Sequence, residues 1–273
     1  MFVQVGSESH VYHYEQGGMS SLLGLAFNVA PNATDGTIPL QELQAAIRDD
    51  DPHYARTSAV LIENTHNRCG GRVLPLQYLR DVQQMATEHN LPVHVDGARL
   101  MNAAVASGID VARLAEHCST VSMCFSKGLG APVGSIVAGS SLHMAQARRT
   151  RKMLGGGMRQ AGVLAAAASL CLKEHTPLLE GDHRNARSIA RALARCPRVV
   201  LDAATVESNI IYFDTPGIDA DAIVQACHAA GLLISSYGSS RLRLVTHFQV
   251  STEQAEQAID ILLNAIEQAD KSS

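Results

Sequence analysis

Three short apolar runs, each followed by a polar residue suited to chemistry, recur at nearly one interval from residue 57 onward. "SAVLIEN" leads to His66, "LPVHVDGAR" closes on Asp96, and "TVSMCF" precedes Lys127 in "SKGLG". His66 to Asp96 is 30 residues and Asp96 to Lys127 is 31. An interval of ~30 residues is one strand–helix–strand unit. Between the first two runs, "LQYLRDVQQMATEH" puts Leu76, Leu79, Val82 and Ala86 at helical spacing behind Pro75. A second helix is expected from about Leu100 to His117, and "GSIVAG" reads as a further strand. This alternation predicts an α/β fold, a mostly parallel sheet sandwiched by helices. Ligands of such sheets sit beyond the carboxyl ends of the strands. His66, Asp96 and Lys127 are therefore expected to converge on one rim.

The flanks follow the same logic less regularly. "MFVQVGSE" reads as a strand with no cap or helix ahead of it. "GGGMRQ", at 155–160, is expected to open an Ala-rich helix reaching Lys173. Near Pro177 the pattern changes to helices alternating with the short strands "NIIYFD", "LLISS" and "RLRLVTH". The expected division is a large domain over 1–177 and a small α+β domain over 178–273. The last helix begins with a capping box, Ser251 with Gln254, and carries Ala255, Ile259, Leu262 and Ile266 on one stripe.

Composition removes several function classes. A net charge of -4 over 273 residues gives no reason to expect nucleic acid or an anionic membrane as partner. The basic run "RRTRK" reads as a solvated helix face. Six cysteines lie scattered without CxxC or paired-histidine spacing, which predicts reduced thiols, no metal site and a cytoplasmic protein. No apolar span reaches the ~18 residues a membrane helix needs. The glycines after Lys127 do not form a dinucleotide loop, because the pattern needs glycine at 133 and valine stands there.

Lys127 taken alone is a turn lysine, and Asp96 taken alone is a helix N-cap before "GARL". Together they suggest more. A carboxylate at one strand end can pair with a protonated pyridine nitrogen, while a lysine at the next can form a Schiff base with an aldehyde cofactor. In "SRLRLVTH", strand alternation puts Arg241 and Arg243 on one face. Either guanidinium could fork a substrate carboxylate, with Arg241 expected nearer solvent.

"HVDGAR", "SKGLGAPVGS", "ENTHN", "RKMLGGGMRQAGVLAAA" and "RLVTH" occur in one order along the chain. The set resembles the low-specificity L-threonine aldolases, pyridoxal-phosphate enzymes of the aspartate-aminotransferase fold. That resemblance implies retro-aldol cleavage of β-hydroxy-α-amino acids to glycine and an aldehyde, by a homotetramer with sites at a dimer interface. It makes Lys127 the Schiff-base lysine and Asp96 the partner of the pyridine nitrogen. Arg99 would reach the cofactor and the substrate carboxylate, Arg243 would grip that carboxylate, and His10 of "SHVYHYE" would stack on the ring. His66 would act as base at the substrate hydroxyl, directly or through a water, against a reading as a satisfied loop histidine. Arg159 would assist the phosphate, and His13 remains a surface or packing residue.

The family pattern also includes a segment ahead of "SHVY", where only nine residues precede His10. Its Ser-Asp-Thr stretch has no counterpart here. Nor does its Ser-Gly-Thr loop, whose backbone N–H groups would cradle the phosphate at a helix N-terminus. A sheet shortened in this way is expected to expose an edge and apolar surface. Two functions therefore stand side by side. One is the aldolase; the other is a catalytically impaired relative that binds the cofactor weakly or associates with full-length subunits. A different lyase of the same fold is the nearest enzymatic alternative.

Overall fold

The computed structural model describes residues 1–272. Its chain divides into two compact units, Met1–Thr176 and Pro177–Ser273. In the first unit β1 (Phe2–Gly6), α1 (His10–His13), α2 (Gly18–Ser21), β2 (Ala26–Ala30) and α3 (Leu40–Ala45) precede the regular alternation. The alternation then runs β3 (Thr57–Glu63), α4 (Leu76–Glu88), β4 (Val93–Asp96), α5 (Leu100–Ser107), α6 (Val111–Ala115) and β5 (Thr120–Cys124). After it come β6 (Ser135–Gly139), α7 (Ser141–Met153) and α8 (Gly162–Glu174). The six strands form one sheet in the order β2-β1-β3-β4-β5-β6. All neighbours are parallel except β5 and β6. This is the mostly parallel, helix-flanked sheet that the spacing predicts.

Parallel register sorts the side chains onto two faces. Val60 pairs with Val93, Ile62 with Val95, and Val95 in turn with Val121, so one face is continuously apolar. Leu79, Val82 and Ala86 of α4 join Leu100 and Ala103 of α5 in the buried cluster that covers it. Each of the leucine and valine side chains among them contributes roughly 1.5–3 kcal/mol on burial. On the other face Glu63 pairs with Asp96, and Asp96 with Ser122. The polar face is thus built by the same alternation that builds the core.

Two local expectations change. The single helix expected over 100–117 is two, because Gly108 closes α5 in the left-handed region (φ 66°) and Asp110 caps α6 by accepting the N–H of Ala112 at 2.8 Å. "GGGMRQ" lies outside any helix, and α8 begins only at Gly162. β6 runs antiparallel, which a connection of this length permits and a parallel crossover does not. All five β6 residues are exposed, Ile136 and Val137 among them.

The second unit contains α9 (Leu179–Leu193), β7 (Ile210–Asp214), α10 (Ala220–Ala229), β8 (Ser235–Ser236), β9 (Arg241–Val245) and α11 (Thr252–Ser272). Its antiparallel sheet has the order β7-β9-β8. The strand expected in "LLISS" shrinks to the two residues of β8. Ile189 and Leu193, Ile211 and Phe213, Ile223, Leu242, Leu262 and Ile266 form its core. The capping box is present: Gln254 N–H donates to Ser251 Oγ at 3.2 Å, and Ser251 N–H to Gln254 Oε1 at 2.9 Å.

Candidate active site

β4 ends where the backbone must turn away beside β5, and Gly97 makes this possible. Its N–H donates to the Ser122 carbonyl at 2.9 Å, and a Cβ at this position would lie 2.7 Å from that oxygen. Asp96 is half-buried, and its Oδ1 accepts the N–H of Ala98 at 3.1 Å. That bond is an Asx turn. The cap reading is corrected here, because α5 starts at Leu100 with Arg99 at its N-cap position and no side-chain cap bond. Asp96 lines an open cleft of ≈ 440 Å³ together with Val11, Leu61, His94, Ser122 and Leu154.

Lys127 stands three residues beyond β5, half-buried, in a loop fixed by its own backbone. Its carbonyl accepts Gly130 N–H at 2.8 Å, while Phe125 N–H reaches Gly134 and Ala131 N–H reaches Phe125, each at 2.9 Å. The glycines thus serve to close the lysine's loop. Arg99 is half-buried just past Asp96, and Arg159 is exposed in the bend ahead of α8. Among the described residues, no hydrogen bond or ion pair joins Arg159 to the others.

His66 lies in the turn after β3 and is 1% exposed. Its N–H donates to Arg72 O at 2.8 Å, and its carbonyl accepts Gly71 N–H at 2.9 Å. Nδ1 receives a long contact, 3.4 Å, from Cys69 N–H, and buried Nε2 has no partner among the described residues. Burial pushes this imidazole down to about 4, with Glu8 and Asp96 opposing the shift, so it is neutral near pH 7. Gly36, at φ +87°, packs so close that a Cβ there would meet the His66 Cβ at 2.7 Å.

His10 opens α1, with Nε2 3.0 Å from Glu15 Oε1 and its ring 5.2 Å from that of Tyr14. His13 is exposed, and its Nε2 contacts Ser7 O at 2.7 Å. Between His10 and His66 lies Glu63, which reading the sequence for histidines passed over. It is 5% exposed at the end of β3. Its Oε2 accepts His10 N–H at 2.7 Å, and its Oε1 accepts Asn67 N–H at 2.8 Å. Burial lifts this carboxyl to about 7; the two N–H donors and His10 counter the rise, and Asp96 adds to it. A signal was available: a carboxylate terminating an otherwise apolar strand.

In the second unit the two arginines separate. Arg241 forks Asp214, with Nε–Oδ1 and Nη2–Oδ2 both 2.9 Å, across a registered β7–β9 pair. Arg243 lies over the rings of Tyr212 and Tyr237 at 5.8 and 5.9 Å.

The donor set of the first unit suits a protonated heterocycle bearing an aldehyde. It offers a carboxylate lining a cleft, a primary amine at the next strand end, and a buried imidazole nitrogen with no partner among the described residues. Among the described residues, no group of three or more His, Cys, Asp or Glu could hold a metal, and no helix is long and apolar enough to cross a membrane.

Comparison with known proteins leads to the same chemistry. A family model described as beta-eliminating lyase matches residues 2–216. The probable low-specificity L-threonine aldolase 2 of Arabidopsis thaliana is 42% identical over 262 residues, which is 94% of this chain and 74% of that one. The low specificity L-threonine aldolase of Escherichia coli O157:H7 is 41% identical over 250 residues, 92% of this chain and 73% of that one. Among solved structures, a Leishmania major threonine aldolase superimposes with a TM-score of 0.80 at 19% identity, covering 97% of this chain and 77% of that one.

Proposed function

The chain belongs to the beta-eliminating lyase family, and we propose that it cleaves L-threonine, L-allo-threonine and related β-hydroxy-α-amino acids to glycine and an aldehyde. The observation that carries this reading is the pair Asp96 and Lys127, at and just beyond the ends of the adjacent strands β4 and β5, with Asp96 lining an open cleft. Pyridoxal phosphate is the cofactor this donor set fits, and when bound its protonated ring supplies the electron sink for breaking a carbon–carbon bond.

The residues divide the remaining work. Asp96 would accept the ring N–H and so keep that nitrogen protonated. Lys127 would supply the primary amine that holds the cofactor by its aldehyde. His10 would pack on the ring, and Arg159 would offset phosphate charge. Arg99 would fork the substrate carboxylate and thereby orient the bond at Cα that breaks. His66 takes the β-hydroxyl proton at Nε2. To do so the ring must carry its other hydrogen on Nδ1, and the long 3.4 Å contact from Cys69 opposes this only weakly.

The functional form in this reading is a homo-oligomer, a dimer or tetramer. Leu142 and Met153 of α7 and Val163 of α8, each more than 70% exposed, support it as apolar side chains that a second copy could cover. Light scattering of the purified chain checks this. All six cysteines are free thiols, which supports placing the chain in the reducing cytoplasm. The activity test is glycine released from L-threonine by the chain with added pyridoxal phosphate. Lys127→Ala should abolish both turnover and the visible absorption the cofactor acquires on binding. A folded wild-type chain that releases no glycine would instead be the impaired relative.

A further inference from the structure

A buried carboxylate between two others' territories needs a reason, because removing its water is costly and Asp96 is its registered neighbour on β4. Glutamine would fill the same volume without the charge. It would not fill the same role. The two N–H groups that meet Glu63 come from different segments, His10 at the start of α1 and Asn67 in the loop that carries His66. Two donors at separate oxygens require two acceptors, which a carboxylate has and an amide lacks, since the amide presents one oxygen and one NH₂. A second tie follows the same path: Arg68 of that loop pairs with Glu8 at 2.7 Å and donates to the Tyr14 hydroxyl at 2.6 Å.

We propose that Glu63 is a positioning residue: one oxygen holds the His10 segment and the other the His66 loop, so the group facing the ring and the group facing the β-hydroxyl are set against each other by one side chain. Its catalytic relevance rests on the aldolase reading above; the clamp itself does not. Two acceptor oxygens at fixed separation suit a reference point at the end of β3, and the bonds become charge-assisted, the stronger class, as pH rises above about 7.

The test compares wild type with Glu63→Gln and Glu63→Asp on the full chain, with two readouts. Amide hydrogen exchange without cofactor should rise roughly tenfold in Glu63→Gln at His10 or Asn67, whichever faces the new NH₂ in place of an oxygen, while β4 and β5 stay protected. In the turnover assay kcat should fall roughly tenfold or more with KM changed less, as expected when alignment and not binding is lost. Glu63→Asp keeps two acceptors and should recover part of the protection at one of the two segments. Unchanged exchange at both amides overturns the clamp. Protection lost across the whole sheet also overturns it, by making Glu63 a residue of the fold alone. A wild-type chain that makes no glycine removes the aldolase reading, while the exchange result still decides whether the clamp exists.

Discussion

The β3–β4 rim and the β6 edge belong to one sheet and follow opposite rules. At the rim, polar groups are buried or half-buried and only partly satisfied: Glu63 has two backbone donors, Asn64 Oδ1 accepts Leu74 N–H at 3.1 Å and Asp96 holds Ala98, while His66 Nε2 has no partner among the described residues. At the edge, apolar groups face outward on β6 and on the helices that follow it. Burying polar groups lowers stability unless they are bonded, so the rim is where structure has been given up for chemistry. Exposed apolar edges do nothing for chemistry and serve contact.

Changes at the two places should therefore separate activity from stability. Asp96→Ala has the largest expected effect, a loss of about a thousandfold or more in turnover with the thermal midpoint moved by only a few degrees. Gly97→Ala comes next, because its Cβ would collide with the Ser122 carbonyl. A loss of about 1–3 kcal/mol in urea denaturation is expected, carrying activity down with it.

His66 gives the pH test at the rim. Its folded value near 4 lies below the ordinary 6.5, because burial disfavours the charged ring. Its contribution to stability is thus full above about 6.5 and lost as pH falls through about 4. Glu63 has the opposite sign, since its raised value near 7 favours the folded state at low pH and withdraws that contribution as pH rises. Denaturation midpoints for His66→Asn should therefore fall less than wild type between pH 6.5 and 4. Equal slopes would mean that His66 is already charged in the fold. The smallest effect belongs to the edge: Val137→Thr should change stability by no more than about 0.5 kcal/mol in the isolated chain. A larger loss that depends on protein concentration would show a second copy covering β6.

Legibility in the sequence followed the same line. The alternation of "LPVHVD" and the ~30-residue spacing revealed the sheet, its rim and the positions of Asp96 and Lys127, because periodicity and strand ends are local properties. β2 and α3 went unread, since "AFNVA" is short and mixed in burial. The direction of β6 was legible but unread, since the stretch between Cys124 and Ser135 is too short for a parallel crossover. Glu63 was hidden for another reason: its partners are backbone N–H groups, 53 and 4 residues away, and carry no side-chain signature. Arg241 and Arg243 share a face, as alternation requires, but only the cross-strand position of Asp214 tells them apart.

The reversal of β6 has one further effect, on where the chain travels next. β6 starts opposite Cys124, near the rim, and ends opposite Thr120 at the far side of the sheet. α7 then sets out from that far side, and its 13 residues span ~20 Å at 1.5 Å each. This is about the height of the sheet, so the helix delivers Leu154 into the cleft beside Asp96. A parallel sixth strand would have ended on the rim and sent the following helix away from it. One inverted strand works as a return path, and the glycine run that carries Arg159 comes next along it.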